Sequence, residues 1–357
     1  MPNRGFKSLA VAAATVIAAA VVGSAQGSEA AAVFTVHPLV SDSSATPAPA
    51  TDASLVNPWG LSDGPTTPWW SANNGTSTST LYGGTGAKVP LNVTVPGAPT
   101  GTVFNPSATD FSISQGGKSG AARFLFATEG GTILGWTPAV NAATAVAGVD
   151  RSSAGAVYKG LATANDRLYA TDFHNGRVDV FDASFSPVTT SGAFKDAKVA
   201  KGFAPFGIQA VGGNIFVTYA KQDAAKRADV PVPGQAYVDE FTPDGQLVGH
   251  VVNSGKKNAP LNAPWGLALA PAGFGSFGGD LLVGNFGNGR ISAYTQRGSA
   301  WVYKGQLRAG DGSLVAIDGL WAIAFGNGTA AGPTDSLYFL SGPSGGQHGL
   351  YGSITAG

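Results

Sequence analysis

Pro-Trp-Gly-Leu is written twice in this chain, in NPWGLS (57–62) and in APWGLALA (263–270). Trp is a rare residue and Gly a poor choice inside a strand or helix, so the duplicated pair marks a repeated structural unit. Weaker relatives lie at PTGTV (99–103), VYKGL (157–161), APFGI (204–208) and GLWAI (319–323). Aligned on the small residue, these place Gly60, Gly101, Gly160, Gly207, Gly266 and Ala322 in equivalent positions. Their spacing of roughly 40 to 60 residues is the period of propeller blades.

A second signal follows each of these. WWSANNG, FATEGGT, YATDFHNG, FVTYAKQD, LLVGNFGNG and YFLSGPSGG each end an apolar strand in a polar or Gly-rich turn. The next strand finishes on an aromatic, as in TSTLYGG, TILGW, RVDVF, AYVDEF, RISAY and HGLYGSI. Two apolar strands around such a turn make a hairpin. Each repeat therefore reads as strand, loop, hairpin and a more polar outer strand. The fold class expected is all-β, a six-bladed β-propeller in a single domain over residues 33–357.

The last unit, Asp318 to Ile354, lacks a fourth strand, whereas VFTVHPLV (33–40) is an alternating strand with no unit of its own. The economical solution is that this N-terminal strand completes the C-terminal blade and closes the ring, covering both sheet edges. Composition agrees with short strands and tight turns: 52 Gly and 22 Pro, with only 12% charged residues. Formal net charge is zero and no basic stripe occurs, which argues against nucleic acid as a partner.

Residues 1–30 read as a secretory signal peptide. Arg4 and Lys7 form a basic head, Leu9 to Val22 is an apolar and small-residue run, and cleavage is expected between Ala25 and Ala32. The run is short for a bilayer span, so no stable membrane insertion is expected after cleavage. The expectation is a secreted protein, extracellular or associated with the cell envelope. It has no cysteine, so its stability must come from burial and closed edges. Thiol catalysis and Cys-ligated metals are excluded.

The stretches NPWGLS, ARFLFATEGGTILGW, VYKGLA, FAPFGIQ, VTYAKQD, APWGLALAPAGFG, LLVGNFGNG and DGLWAIAFGNG together resemble an uncharacterised bacterial family of secreted NHL-like six-bladed propellers. Some members carry a C-terminal PEP-CTERM sorting segment; none is recognisable in this sequence, so the expectation is release from the cell and not retention. The resemblance runs from about Val40 to Ile354 and implies the propeller fold, without a biochemical role to transfer.

In a propeller, the loops entering the innermost strands and the turns of the middle hairpins share one face, around the channel mouth. The residues before the aligned small residues give one ring: Trp59, Thr100, Lys159, Phe206, Trp265 and Trp321. Its aromatics read either as a stacking platform for a sugar-like ligand or as a packed plug. The hairpin turns give a second ring: Asn73, Glu129, Asp172, Tyr219, Asn285 and Gly342. Converging oxygens of Asn73, Glu129, Asp172 and Asn285 would suit Ca²⁺ or Mg²⁺; alternatively, Asn and Asp are ordinary turn formers. That arrangement is similar in kind to the gluconolactonase-like propellers, at the level of fold alone.

His174, two residues after Asp172, is a candidate base or ligand; Lys159 would pair with Glu129 or Asp172, or meet an anionic ligand. The long polar interruption 219–234 reads as a lid with Tyr219 and Asp223 facing inward, or as a solvated loop. No nucleophile or phosphate-binding motif occurs. The leading expectation is a binding protein for a small-molecule, glycan or peptide ligand, contacted by Trp59, Trp265, Trp321, Phe206, Tyr219 and Asp223. The alternative is a metal-dependent hydrolase or lyase, lactonase-like, with His174 or Lys159 moving the proton. A purely structural role in an extracellular matrix is a third reading.

Overall fold

The structure, a computed structural model, describes residues 1–2, 33–254 and 260–357. The expected signal peptide lies, beyond its first two residues, outside them. The chain divides into two compact units, Met1–Ala31 and Ala32–Gly357, of which the second is the propeller.

Six antiparallel sheets form the blades. Blade 1 runs outward through Pro58–Ser62, Trp69–Asn73, Thr78–Tyr82 and Lys88–Thr94. Blade 2 comprises Pro99–Phe104, Phe124–Thr128, Thr132–Trp136 and Val146–Asp150, with an extra hairpin (Ser112–Gln115, Lys118–Ala121) inserted after its first strand. Blade 4 comprises Phe203–Val211, Asn214–Gln222, Ala236–Phe241 and Leu247–Ser254; blade 5 comprises Pro264–Leu269, Leu281–Asn285, Ile291–Arg297 and Ala300–Gln306. Each innermost strand packs on the next, and that of blade 6 (Leu320–Phe325) packs on that of blade 1, so the ring closes.

Blade 3 departs from the expected pattern. It has three strands, Tyr158–Ala164, Arg167–Asp172 and Arg177–Phe181. Residues 182–202 run past its outer edge as irregular chain, touching the ladder at a single Phe181–Pro187 bridge. Pro187 lies within this stretch, in SPVTTSG, and a residue without an N–H weakens any ladder there.

The Trp-Gly pair has a specific mechanical reason. In every blade the pairing between the first and second strands slips at this point, between Pro58 and Gly60, Pro205 and Ile208, Pro264 and Leu267, and equivalently in the other three. Such a bulge bends the strand and frees backbone groups from the ladder. The bend also presses the small residue onto the next blade. A Cβ on Gly60 would lie 2.4 Å from the Thr100 carbonyl oxygen, on Gly207 2.2 Å from that of Trp265, and on Gly266 2.7 Å from that of Trp321. These approaches leave no room for a methyl group, which accounts for Gly at five of the six positions.

The freed groups are recaptured by threonines of the second strand. Gly207 N–H donates to Thr218 Oγ1 at 2.8 Å, and Thr218 Oγ1 donates to Pro264 O of blade 5 at 2.7 Å. Thr171 does the same between Gly160 N–H and Phe206 O, both at 2.7 Å. One buried hydroxyl thus satisfies its own blade and latches it to the next. The Thr of ATD and VTY was the signal for this in the sequence.

Blade faces bury the expected aromatics. Tyr82, Phe181, Phe241, Tyr294 and Tyr351 are all at most 2% exposed. Trp70 of blade 1 stacks on Phe124 of blade 2, and Tyr82 stacks on Tyr351 of blade 6. Blade 6 (Leu320–Phe325, Leu337–Ser341, Leu350–Ala356) takes its fourth strand from the other end of the chain. Phe34–Ser41 pairs antiparallel with Leu350–Ala356, and Phe34 and Val40 are buried.

Two outcomes are expected. Deletion of residues 33–41 should abolish the cooperative thermal transition, and a truncated protein melting cooperatively at the wild-type temperature would contradict the closure. Thr218→Val should leave a buried N–H and a buried carbonyl unpaired, costing about 2–4 kcal/mol; a denaturant titration with an unchanged midpoint would refute the latch.

Candidate functional site

The bulges aim the residue before each small residue toward the axis, at the end where the inner strands begin. Trp59, Phe206, Trp265 and Trp321 meet there and pack against one another. Trp321 lies between Trp59 (ring centroids 3.8 Å apart, 19° between planes) and Phe286 (3.9 Å, 18°). Trp265 meets Phe206 and Trp59 edge-on at 4.9 and 5.2 Å. None of the four is more than 6% exposed. The faces that a flat ligand would need are already covered, so of the two readings of this ring the geometry matches the packed plug. Thr100, in the same ring, donates to Ala127 O and Tyr158 O.

Lys159 is the exception in this ring. Its ammonium is 1% exposed, 2.5 Å from Glu129 Oε1, and sits 4.6 Å from the Trp59 ring and 5.8 Å from the Phe173 ring. A desolvated cation held this way draws on both the carboxylate and the π faces. Glu129 remains partly exposed and accepts from Asn74 Nδ2 at 3.0 Å through its other oxygen.

The insertion in blade 4 does cross this end. Lys221 and Gln222 pair with Asp229–Val230 to extend the hairpin. Gln222 Nε2 donates to Phe173 O of blade 3, and Arg227 Nη2 to Glu129 O of blade 2 at 3.2 Å. Asp223 turns its carboxylate to the hairpin's own N–H groups of Arg227 and Ala228. Burial pushes the Asp229 carboxyl up to about 6, against the opposing pull of Lys159. Tyr219 does not face the mouth. It is buried between blades 3 and 4, where burial and the charges of Asp239 and Asp196 hold its phenol well above the usual range.

The expected Ca²⁺ or Mg²⁺ ligands are engaged elsewhere. Asp172, fully buried, accepts from Val157 N–H, Asn175 N–H and Asn175 Nδ2. Asn285 accepts from Asn262 N–H and donates to Arg290 O. Both tie the loop entering an inner strand to the hairpin turn beside it, which is a structural use of turn-forming side chains. Asn73 Nδ2 donates to Thr78 and Thr80, and its buried Oδ1 is without a partner. Glu129 is neutralised by Lys159. His174 packs over Gly155, where a Cβ would stand 3.7 Å from its Cδ2, and its Nδ1 is buried without a partner. Asn57, which sequence reasoning missed, accepts from Trp321 Nε1 and fixes the plug. Its signal was its place immediately before Pro-Trp, where it and Ala263 share a positive φ (47° and 48°).

Beyond the plug the channel is open at its other end. A cavity of about 670 Å³ is lined by the backbone at Gly60, Gly101, Gly160, Gly207, Gly266 and Ala322, with Trp265 also on its wall. Its lining also includes Asp63, Phe104, Thr163, Gln209, Leu269 and Phe325. Asp63 is the single ionisable residue of the lining, and burial pushes its carboxyl up to about 6 although Asn327 hydrogen-bonds to it. No motif marks this end, because its side chains follow the small residues by differing distances.

The ring of six sheets around a plugged channel defines a six-bladed β-propeller. Solved structures of the same architecture include a Bacteroides thetaiotaomicron structural genomics protein of unknown function (TM-score 0.58, 11% identity, 90% of this chain and 76% of that one). Virginiamycin B lyase from Staphylococcus aureus is similar as well (0.51, 14%, 90% and 99%). At such identities the likeness is one of fold. No family model matches the chain. Among curated proteins it is 32% identical over 286 residues to the uncharacterised protein L690 of Acanthamoeba polyphaga mimivirus, covering 76% of this chain and 74% of L690. The chain belongs to the family of L690. It is also 30% identical over 229 residues to R640 of the same virus, of which it spans 42%. These relatives are viral, so the bacterial and PEP-CTERM side of the sequence resemblance gains no support.

Asp229 gives a pH prediction. A carboxyl whose folded-state pKa is raised binds its proton more tightly when folded, so the charged form destabilises above about pH 6 and the cost vanishes below about pH 4. Asp229→Asn should therefore raise the melting temperature at pH 7.5 and leave it nearly unchanged at pH 4. An equal effect at both values would show that burial of the charge is not the cause.

Proposed function

We propose that this propeller is a binding protein that takes a small carbohydrate-like or peptide ligand, neutral or cationic, in the open end of its channel. The observation that carries this is the cavity of about 670 Å³ whose lining holds one ionisable group, Asp63, with a carboxyl raised to about 6. Small-molecule sites typically occupy about 300–1,000 Å³ with few polar groups of defined position, and perturbed carboxyls concentrate in such clefts. The side chains of Ser62, Thr163 and Gln209 on the lining can hydrogen-bond to hydroxyl or amide ligands. Above pH 6 the Asp63 carboxylate favours an ammonium or guanidinium group.

This moves the site to the opposite end from the aromatic ring. The ring forms the floor of the channel, and its buried faces offer nothing to stack upon. A metal-dependent hydrolase or lyase would need free ligands at the ring, and Asp172 and Asn285 serve their own turns while Lys159 holds Glu129. On its N-terminal segment the protein is also taken to be exported, and the mature polypeptide recovered from the medium should begin between residues 26 and 33.

Calorimetric titration against neutral oligosaccharides and short neutral or basic peptides tests the binding. Saturable binding is expected for at least one class, weakened tenfold or more by Asp63→Ala and unaffected by Arg227→Ala at the plugged end. Loss in Arg227→Ala with wild-type affinity in Asp63→Ala would place the site at the mouth, and no binding across the panel would overturn the reading.

A further inference from the structure

Blade 3 lacks a fourth strand, and the chain that replaces it brings Asp196 against blade 4. There Asp196 meets Asp239 of the third strand and His250 of the fourth, which are direct cross-strand partners. His250 Nδ1 lies 2.8 Å from Asp239 Oδ1 and 3.5 Å from Asp196 Oδ2. One donor atom from each of the three residues falls within 4.8 Å of the others, the only group of three or more His, Asp or Glu so arranged among the described residues.

The cluster is not a solvated acidic patch. The Asp239 side chain is fully buried, that of Asp196 is 4% exposed and that of His250 20%. Among the described residues no Lys or Arg pairs with either carboxylate, and His250 is the one basic group that does. An independent observation comes from the second strand of blade 4. Tyr219 is 4% exposed, its hydroxyl feels the charges of both Asp239 and Asp196, and it makes no hydrogen bond of normal geometry. Asp196 Oδ2 and Asp239 Oδ2 are likewise buried without hydrogen-bond partners. Two buried carboxylates met only by one imidazole and one phenol, in a dry setting, carry a large desolvation cost.

We propose that Asp196, Asp239 and His250 bind a divalent first-row transition metal of the Zn²⁺ or Mn²⁺ kind, with Tyr219 completing or orienting the ligand set. Two carboxylates and one imidazole match that class, and ligand bonds of about 2.0–2.2 Å place neighbouring donors roughly 3.0–3.6 Å apart. The His250–Asp196 approach of 3.5 Å already has that span, and the 2.8 Å His250–Asp239 contact has to open to reach it. On binding, the cation replaces the proton shared between His250 Nδ1 and Asp239 Oδ1, which leaves to solvent. Tyr219 O–H then donates to a ligating carboxylate, the outer-shell arrangement that holds such ligands in place.

The site's role follows from its position. Residues 182–202 are attached to blade 4 by few backbone bonds, Gly192 N–H to Asp244 O and Phe194 N–H to Gly245 O among them. A metal shared by Asp196 and the blade 4 pair staples this segment where strand pairing is missing. In a chain without disulfides, it is a cross-link between two blades.

The full-length mature protein, stripped with EDTA and dialysed, should be loaded with Zn²⁺ and passed over a desalting column before elemental analysis. One Zn²⁺ per chain and a rise of several degrees in melting temperature are expected. Co²⁺ should give visible d–d absorption that is displaced by Zn²⁺ and lost in His250→Gln. Asp239→Asn and Asp196→Asn should weaken binding tenfold or more, and His348→Gln, which removes a comparable Asp–His pair at blade 6, should leave it unchanged. If Asp239→Asn fails to fold, Asp196→Asn on the irregular segment decides. No stoichiometric metal, undiminished binding in Asp196→Asn, or loss of binding in His348→Gln would each overturn the proposal.

Discussion

The close approach of neighbouring inner strands governs this molecule. At five of the six bulges a glycine lets the backbone of one blade lie against the backbone of the next, at separations that a methyl group would forbid. Polar backbone groups brought that close in a dry interior must find partners. Thr171 and Thr218 supply them, each accepting from its own blade and donating to the following one. The aromatic faces of the blades then add burial, and the N-terminal strand gives blade 6 its fourth strand and so closes the ring.

The same geometry decides what each end of the channel can do. Bulging aims the residue before each Gly at the axis, and four large rings converge there and pack against one another. Their mutual edge-on and stacked contacts exclude water from Lys159, whose charge is met by Glu129 and by ring faces. The hairpin of residues 222–230 reinforces the seal. Because the plug lies at one end, the remaining channel opens at the other, where the strands diverge and carry only one ionisable side chain.

Much of the architecture was legible from recurrence. The Trp-Gly relatives located all six inner strands, the hairpin turns located the middle strands, and the orphan strand 33–40 pointed to closure. What recurrence could not show was direction. Asn73, Asp172 and Asn285 sit at equivalent turn positions, yet the oxygens of Asp172 and Asn285 point back to the loops beside them, since those loops carry free N–H groups that need acceptors. Tyr219 shares that register and turns between blades. The three-stranded blade 3 was hidden as well, because a missing ladder is a property of pairing and leaves little trace in composition.

Period, small residues and alternating apolar strands thus determined the fold by themselves, because a blade's requirements are local: a strand length, a bulge, a turn. Which polar groups meet was decided only when the ring closed. Asp196, Asp239 and His250 come from two blades, and Asp63 acquires its setting from the channel wall, so their surroundings depend on how adjacent sheets pack. Contacts of that kind join residues that nothing in their sequence spacing connects, and only the closed tertiary structure brings them within reach of one another.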